Sequence, residues 1–263
     1  MIRNRDALIG YTGFVGSNLL KQKKFDNLYN SENIKHIPGE EFDLVVCAAA
    51  PAVKWYADRH PQEDFKVIKR IMDSLDKINT NQFVLISTID VYPKAFEVNE
   101  DSIIDLKSHL PYGKHRRKLE LFANEKFDAT IIRLPGIFGD GIKKNLIYDL
   151  LNNNQEYLNH RESILQFYNL DNIWADISKV LKNDIKLINL GTEPITITEI
   201  ARECFGIDYK GDNTKLPLRY DMQTKYGALW KRNIPYLYPK SEILKDLKLF
   251  VKKYTMVHEE KLI

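Results

Sequence analysis

The chain has 263 residues, with 39 Lys and Arg against 36 Asp and Glu, a formal net charge of +3. That length supplies a substantial core, and the balanced charge argues against a nucleic-acid binder. Two cysteines, Cys47 and Cys204, lie far apart, and no run reaches the roughly 18 apolar residues of a membrane span. The expectation is a soluble, cytoplasmic protein with free thiols and no membrane contact. The polar start, Met1 to Asp6, leads directly into an apolar stretch and lacks the apolar region of a signal peptide.

Ala7, Leu8 and Ile9 form a short strand pattern, and Gly10, Gly13 and Gly16 follow at the spacing G-x-x-G-x-x-G. A helical pattern begins after them, over roughly Ser17 to Lys23. The first glycine permits a sharp turn out of the strand, the second a close approach to a pyrophosphate, the third tight packing of helix on strand. A helix starting near Phe14 points free N–H groups and the positive end of its dipole at a phosphate. The loop therefore reads as a dinucleotide cradle contributed by Gly10, Thr12, Gly13, Phe14, Val15 and Gly16. Phe25 to Asn30 suits a second strand, whose end reads the adenosine ribose, an acidic residue there favouring NAD. Asp26 lies only ten residues past Gly16, too early for that position; Asn30 and Ser31 are better placed. Both are neutral, so NAD and NADP remain open.

Glu41 to Ala50 predicts a buried parallel strand whose small end, Ala48, Ala49 and Ala50, lets a cofactor lie against the backbone. Pro61 to Lys77 predicts a helix with Phe65, Ile68, Ile71, Met72 and Leu75 on one face, a core or subunit-interface pattern. Gln82 to Thr88 reads as a strand ending in two hydroxyls, Ser87 and Thr88. Pro111 to Lys126 predicts a helix with Tyr112 near its start. Its basic run, Lys114 to Lys118, reads as a solvated face or a local anion site. Ala129 to Leu134 is a strand stopped by Pro135 and Gly136. This alternation through about residue 140 predicts an α/β fold, a Rossmann-type doubly wound parallel sheet.

Residues 1–140 thus form the expected dinucleotide-binding core. Residues 141–263 form a small C-terminal substrate-binding lobe that packs on the core and partly returns to it. In that second part Lys143 to Asn152 predicts a helix, Ser163 to Tyr168 a strand, and Asn172 to Leu181 a helix capped by Asp171. Lys186 to Gly191 reads as a strand and turn. Thr196 to Glu199 fits a capping box opening a helix that ends near Gly206. Ser241 to Lys252 predicts an amphipathic helix, and 207–235 are polar and rich in turns.

Thr88 sits at a strand end, Tyr112 follows 24 residues later, and Arg116 lies one helical turn beyond it. Tyrosine titrates near 10, so acid–base work at neutral pH needs a nearby cation to favour the phenolate. A residue four positions on shares the helix face, which puts Arg116 beside Tyr112. Together these suit hydride transfer in which Tyr112 moves the proton, Thr88 hydrogen-bonds the reacting oxygen and a nicotinamide exchanges hydride.

The chain resembles the extended short-chain dehydrogenase/reductases, the NAD-dependent epimerase/dehydratase family, in its group of nucleotide-sugar epimerases and 4-keto reductases. The resemblance rests on Gly10 to Gly16 for the cofactor glycines and Leu85 to Tyr92 for the strand with the catalytic hydroxyl. Pro111-Tyr112-Gly113 with Glu120 matches its catalytic helix, and Arg133 to Gly139 its substrate and nicotinamide segment. It implies catalytic roles for Thr88, Tyr112 and Arg116. It also implies cofactor contacts from Gly10, Thr12, Gly13, Phe14, Val15, Gly16, Asn30, Ser31, Ala48, Ala49, Ala50, Ser87, Tyr112, Arg116 and Pro135, and no metal. NAD or NADP is the implied cofactor, a nucleotide-linked sugar the substrate, and a homodimer the family habit. Three positions depart from the pattern: the family lysine falls on Arg116, a frequent Asn on Gly136, and the dehydratase Asp-Glu pair on Ile89 and Asp90. Arginine keeps the charge but not the lysine geometry. Ile89 and Asp90 disfavour dehydration, and Arg116 and Gly136 admit an alternative, a dinucleotide-binding sensor or subunit without catalysis; a reductase of a non-sugar carbonyl compound is a third reading.

Overall fold

The computed structural model describes residues 5–154 and 159–259; the first four residues, read above as part of a polar lead, lie outside them. In chain order the elements begin with β1 (Asp6–Ile9), α1 (Phe14–Gln22), β2 (Asn27–Tyr29), β3 (Glu41–Cys47), α2 (Lys54–Arg59), α3 (Pro61–Leu75) and β4 (Asn79–Thr88). There follow β5 (Phe96–Val98), α4 (Pro111–Phe127), β6 (Thr130–Leu134), β7 (Gly136–Phe138), α5 (Leu146–Leu151), β8 (Ile164–Leu165) and β9 (Phe167–Asn169). The chain continues through α6 (Ile173–Lys182), β10 (Leu187–Asn189), β11 (Ile195–Thr196), α7 (Ile197–Ile200), β12 (Asp221–Met222) and α8 (Lys240–Glu259). It divides into two compact units, and the division is interleaved in sequence. The first takes the chain through Lys94, Asp101–Leu134 and Asp171–Asn189; the second takes Ala95–Glu100, Pro135–Leu170 and the chain from Leu190.

The first unit is built on a six-stranded parallel sheet of order β10-β6-β4-β3-β1-β2. Its strands are apolar on both faces, as parallel strands covered by helices must be. Ala7, Ile9, Val45, Cys47, Phe83, Leu85 and Ile131 pack into one core with Ile68, Ile71 and Leu75 of α3 and Leu119 and Ala123 of α4. The alternate residues Leu8, Val46, Val84 and Ile132 are equally buried. By the pleat they face the other way, where Leu19 of α1 and Ile173, Ile177 and Val180 of α6 are buried too. The apolar stripe read over Pro61 to Lys77 is thus largely core. Burial pushes the Cys47 thiol up to about 11, so this cysteine is an inert part of that core. The strand order reverses direction at β1, which has β2 on one side and β3 on the other, making β1/β3 the crevice where ligands of such sheets sit.

Among the described residues the second unit holds three two-stranded sheets, β11-β8, β12-β5 and β7-β9. Buried Gln166 ties them by donating to the Thr192 and Met222 carbonyls and accepting from the Met222 N–H at 2.7 Å. The capping box at Thr196 and Glu199 is present with both reciprocal bonds, and α7 runs through a π-helical turn to Gly206 in the left-handed region. Two local expectations shift. Helix α5 starts only at Leu146, because Asn145 caps it by accepting from the Ile147 N–H at 3.0 Å. In the first unit, α6 has Asn172 at its N-cap, and Asp171 lies in the 3-10 turn before it. Among the described residues no helix is long and apolar enough to cross a membrane.

Candidate active site

The carboxyl ends of β1, β3 and β4 lie side by side in the first unit, and the residues singled out in the sequence cluster there. The Gly10 N–H donates to the Tyr29 carbonyl at 2.7 Å, the Ala48 N–H to the Ile9 carbonyl at 2.8 Å, and the Gly13 N–H to the Gly10 carbonyl at 3.0 Å. A Cβ on Gly16 would run into the Gly10 carbonyl, so only glycine lets α1 start this close to β1. Gly13 is the N-cap of α1 and no side chain caps the helix. The first amides of α1, at Phe14, Val15 and Gly16, thus face an exposed loop of Thr12 and Gly13. A turn with glycine at 10, 13 and 16, closed by a helix N-terminus, fits the pyrophosphate of a dinucleotide. Ala48, Ala49 and Ala50 continue β3 beside it, half-buried. Asn30, just past β2, bends the chain by accepting from the Glu32 and Asn33 amides, and Ser31 is exposed next to it.

Ser87 and Thr88 end β4 but face different partners. The Ser87 hydroxyl donates to Glu120 at 2.5 Å and so joins a buried network. In that network Arg133 makes a two-pronged pair with Glu120 at 2.9 and 2.8 Å and donates to Tyr92 at 2.7 Å. Thr88 instead caps the short turn Ile89–Val91, its Oγ1 accepting from the Asp90 N–H at 3.2 Å, and its hydroxyl lies on the Tyr112 side, where it favours the phenolate. Helix α4 reaches this turn because position 113 is glycine: a Cβ there would strike the Asp90 carbonyl. Asp58 of α2 accepts from the Tyr112 N–H at 3.0 Å and supplies a carboxylate to the α4 N-terminus, where Leu110 offers no cap. Close packing and this cap together fix Tyr112 over Thr88.

Arg116 lies beside Tyr112, as the helical spacing requires, with its guanidinium carbon 4.0 Å from the ring centre. Its charge is shared with Asp64 of α3, and it also donates to the Pro51 and Tyr112 carbonyls. Asp64 receives a second buried contact from His115 Nδ1 at 2.7 Å. The basic run is therefore not a solvated face: His115 and Arg116 are buried, and Arg117 pairs with Glu120. Burial pushes Tyr112 up to about 12, with Asp90 adding to the rise and Arg116, the Thr88 hydroxyl and Lys54 opposing it. Pro135 follows β6 directly but belongs to the second unit.

Lys54, Asp58 and Asp64 went unnoticed in the sequence. Only Asp64 carries a local signal, an acid in the first turn of a helix opened by Pro61. Asp58 becomes a neighbour through the packing of α2 against α4, and Lys54 through the packing of α2 beside the turn after β4.

No family model matches the chain, and no curated protein does. Solved structures do. UDP-glucose 4-epimerase from Thermotoga maritima, crystallised with UDP-glucose, aligns with TM-score 0.71 at 16% identity, covering 96% of this chain and 99% of that one. The dTDP-4-dehydrorhamnose reductase of Yersinia enterocolitica aligns at 0.69 and 16%, covering 94% and 99%. DesIV, a dTDP-glucose 4,6-dehydratase from Streptomyces venezuelae crystallised with NAD, aligns at 0.69 and 16%, covering 96% and 97%. The fold is the one these nucleotide-sugar enzymes share. Its likeness spans both compact units.

Proposed function

We propose that the chain is an NAD(P)-dependent enzyme acting on a nucleotide-linked sugar, with Tyr112 as proton carrier. The observation that carries this reading is the placement of Tyr112 beside the Thr88 hydroxyl, on a helix end held by Asp58, at the same sheet edge as the uncapped glycine cradle. A pure binding protein has no need of a tyrosine set beside a hydroxyl there. Gly10, Thr12, Gly13, Phe14, Val15 and Gly16 hold the pyrophosphate, Ala48 to Ala50 flank the dinucleotide, and Asn30 and Ser31 lie at the ribose end. When bound, a nicotinamide supplies the hydride donor or acceptor.

Thr88 positions the reacting sugar oxygen, and Tyr112 gives it a proton or takes one from it. Burial keeps Tyr112 protonated at neutral pH, the state that protonates a carbonyl oxygen as hydride arrives. Arg116 stacks on the ring and opposes that rise, so it tunes the phenol and, tied to Asp64, also anchors it. The same residues serve 4-epimerisation and keto-sugar reduction. Absence of the acidic pair after Thr88 sets dehydration aside. The test is turnover of UDP-glucose with NAD⁺ and of dTDP-4-dehydrorhamnose with NADPH, by wild type and Tyr112→Phe. Turnover of one probe that Tyr112→Phe loses while still binding cofactor supports the reading; equal turnover by the variant overturns it.

A further inference from the structure

The family lysine position is occupied by a guanidinium already bound to Asp64 and to the Pro51 carbonyl, so the phenol needs another source of protons. A different cation approaches from α2. Lys54 Nζ lies 2.5 Å from Asp90 Oδ1, and about half of its side chain, 44%, remains exposed to solvent. Asp90 Oδ2 is 3.5 Å from Thr88 Oγ1, and Thr88 in turn lies next to Tyr112, whose helix packs with Gly113 on the Asp90 carbonyl. Four side chains from three segments thus line up between solvent and the phenol: α2, the end of β4 with its following turn, and α4.

We propose that Lys54 and Asp90 are positioning residues that form the solvent end of a proton relay through Thr88 to Tyr112. The relay rests on the functional reading above and adds two residues to it. After Tyr112 protonates the sugar oxygen, its phenolate takes the Thr88 hydroxyl proton, and Thr88 is refilled from the Asp90 carboxyl. Asp90 has received that proton from the Lys54 ammonium, and the resulting amine takes one from water. One proton enters from solvent and one reaches the sugar, with every intermediate group restored. In the oxidative direction each transfer reverses. The charged groups facing the phenol are Arg116 on its own helix, Asp90 on the turn and Lys54 on α2; Asp58 meets the Tyr112 backbone amide. Only Lys54 combines a transferable proton with solvent exposure, since a guanidinium does not give up its proton at working pH.

The test uses the full chain with UDP-glucose and NAD⁺, and with dTDP-4-dehydrorhamnose and NADPH. Lys54→Met and Asp90→Asn are compared with wild type for kcat, KM and pH profile. The relay predicts kcat lower by about tenfold or more, KM within about twofold, and a displaced pH profile in both variants. Lys54→Ala regains part of its kcat in added methylamine, which a merely structural role does not allow. Wild-type kcat and pH profile in the variants, or no methylamine rescue, overturn the relay while Tyr112→Phe still decides the functional reading separately. A wild type that turns over neither probe and binds none of the four nicotinamide dinucleotides overturns the reading and the relay with it. Should Asp90→Asn lose its cap geometry, seen as a lowered Tm, the half-exposed Lys54 variants decide alone.

Discussion

Arg116 stacks on Tyr112 with 4.0 Å between guanidinium carbon and ring centre, and its charge is answered by Asp64 on another helix. Asp64 is buried and also meets His115 at 2.7 Å. Removing it leaves a guanidinium in the interior without a counter-charge. Asp64→Ala is expected to destabilise the fold by about 3–5 kcal/mol, the range for breaking a buried pair from one side. Urea unfolding checks this, and a loss under about 1 kcal/mol would show that Arg116 finds water instead.

Glu120 presents the same physics with more partners. It is fully buried and accepts from Ser87, Arg117 and both prongs of Arg133. Glu120→Ala should cost about 3–5 kcal/mol, whereas Glu120→Leu combined with Arg133→Met should recover much of that, because no fully buried charge is then left alone and Arg117 is partly exposed. Additive losses in the double variant would contradict this account.

Tyr112 gives stability a pH dependence. Its folded-state value of about 12 lies above the ordinary 10, so between those two pH values the folded state holds a proton that the unfolded chain has released. The stabilisation is complete below pH 10 and is lost as pH rises through 12, a change of about 2–3 kcal/mol. Across that window wild type should lose more stability than Tyr112→Phe, measured by denaturant titration at each pH. Parallel curves would mean that the phenol reaches solvent.

Much of this was legible in the sequence. Strands β3, β4 and β6 announce themselves as apolar runs, the glycine spacing places the start of α1, and Thr196 with Glu199 marks a helix start. Such signals are local. The basic run at 114–118 misled because composition alone does not show that α3 packs over it and buries His115 and Arg116. Lys54 and Asp90 are 36 residues apart, and only the packing of α2 beside the turn after β4 makes them partners. Ser87 and Thr88 look alike in sequence. Pleat alternation sends one to Glu120 and leaves the other at Tyr112.

Gly16 offers a direct probe of the cradle. Its Cβ position is filled by the Gly10 carbonyl, so Gly16→Val must push α1 away from β1. A cost of about 1–3 kcal/mol in stability follows from overpacking, together with loss of dinucleotide binding. Unchanged binding by isothermal calorimetry would place the pyrophosphate elsewhere.

The central claim is that this chain binds a nicotinamide dinucleotide, and a thermal-shift titration with NAD⁺, NADH, NADP⁺ and NADPH tests it most directly. A ligand that binds only the folded state raises Tm with concentration. The account predicts a concentration-dependent rise with one oxidised and reduced pair, or else a copurified dinucleotide released by acid and visible in its absorbance. No shift with any of the four, in protein shown by extraction to carry none, would contradict it.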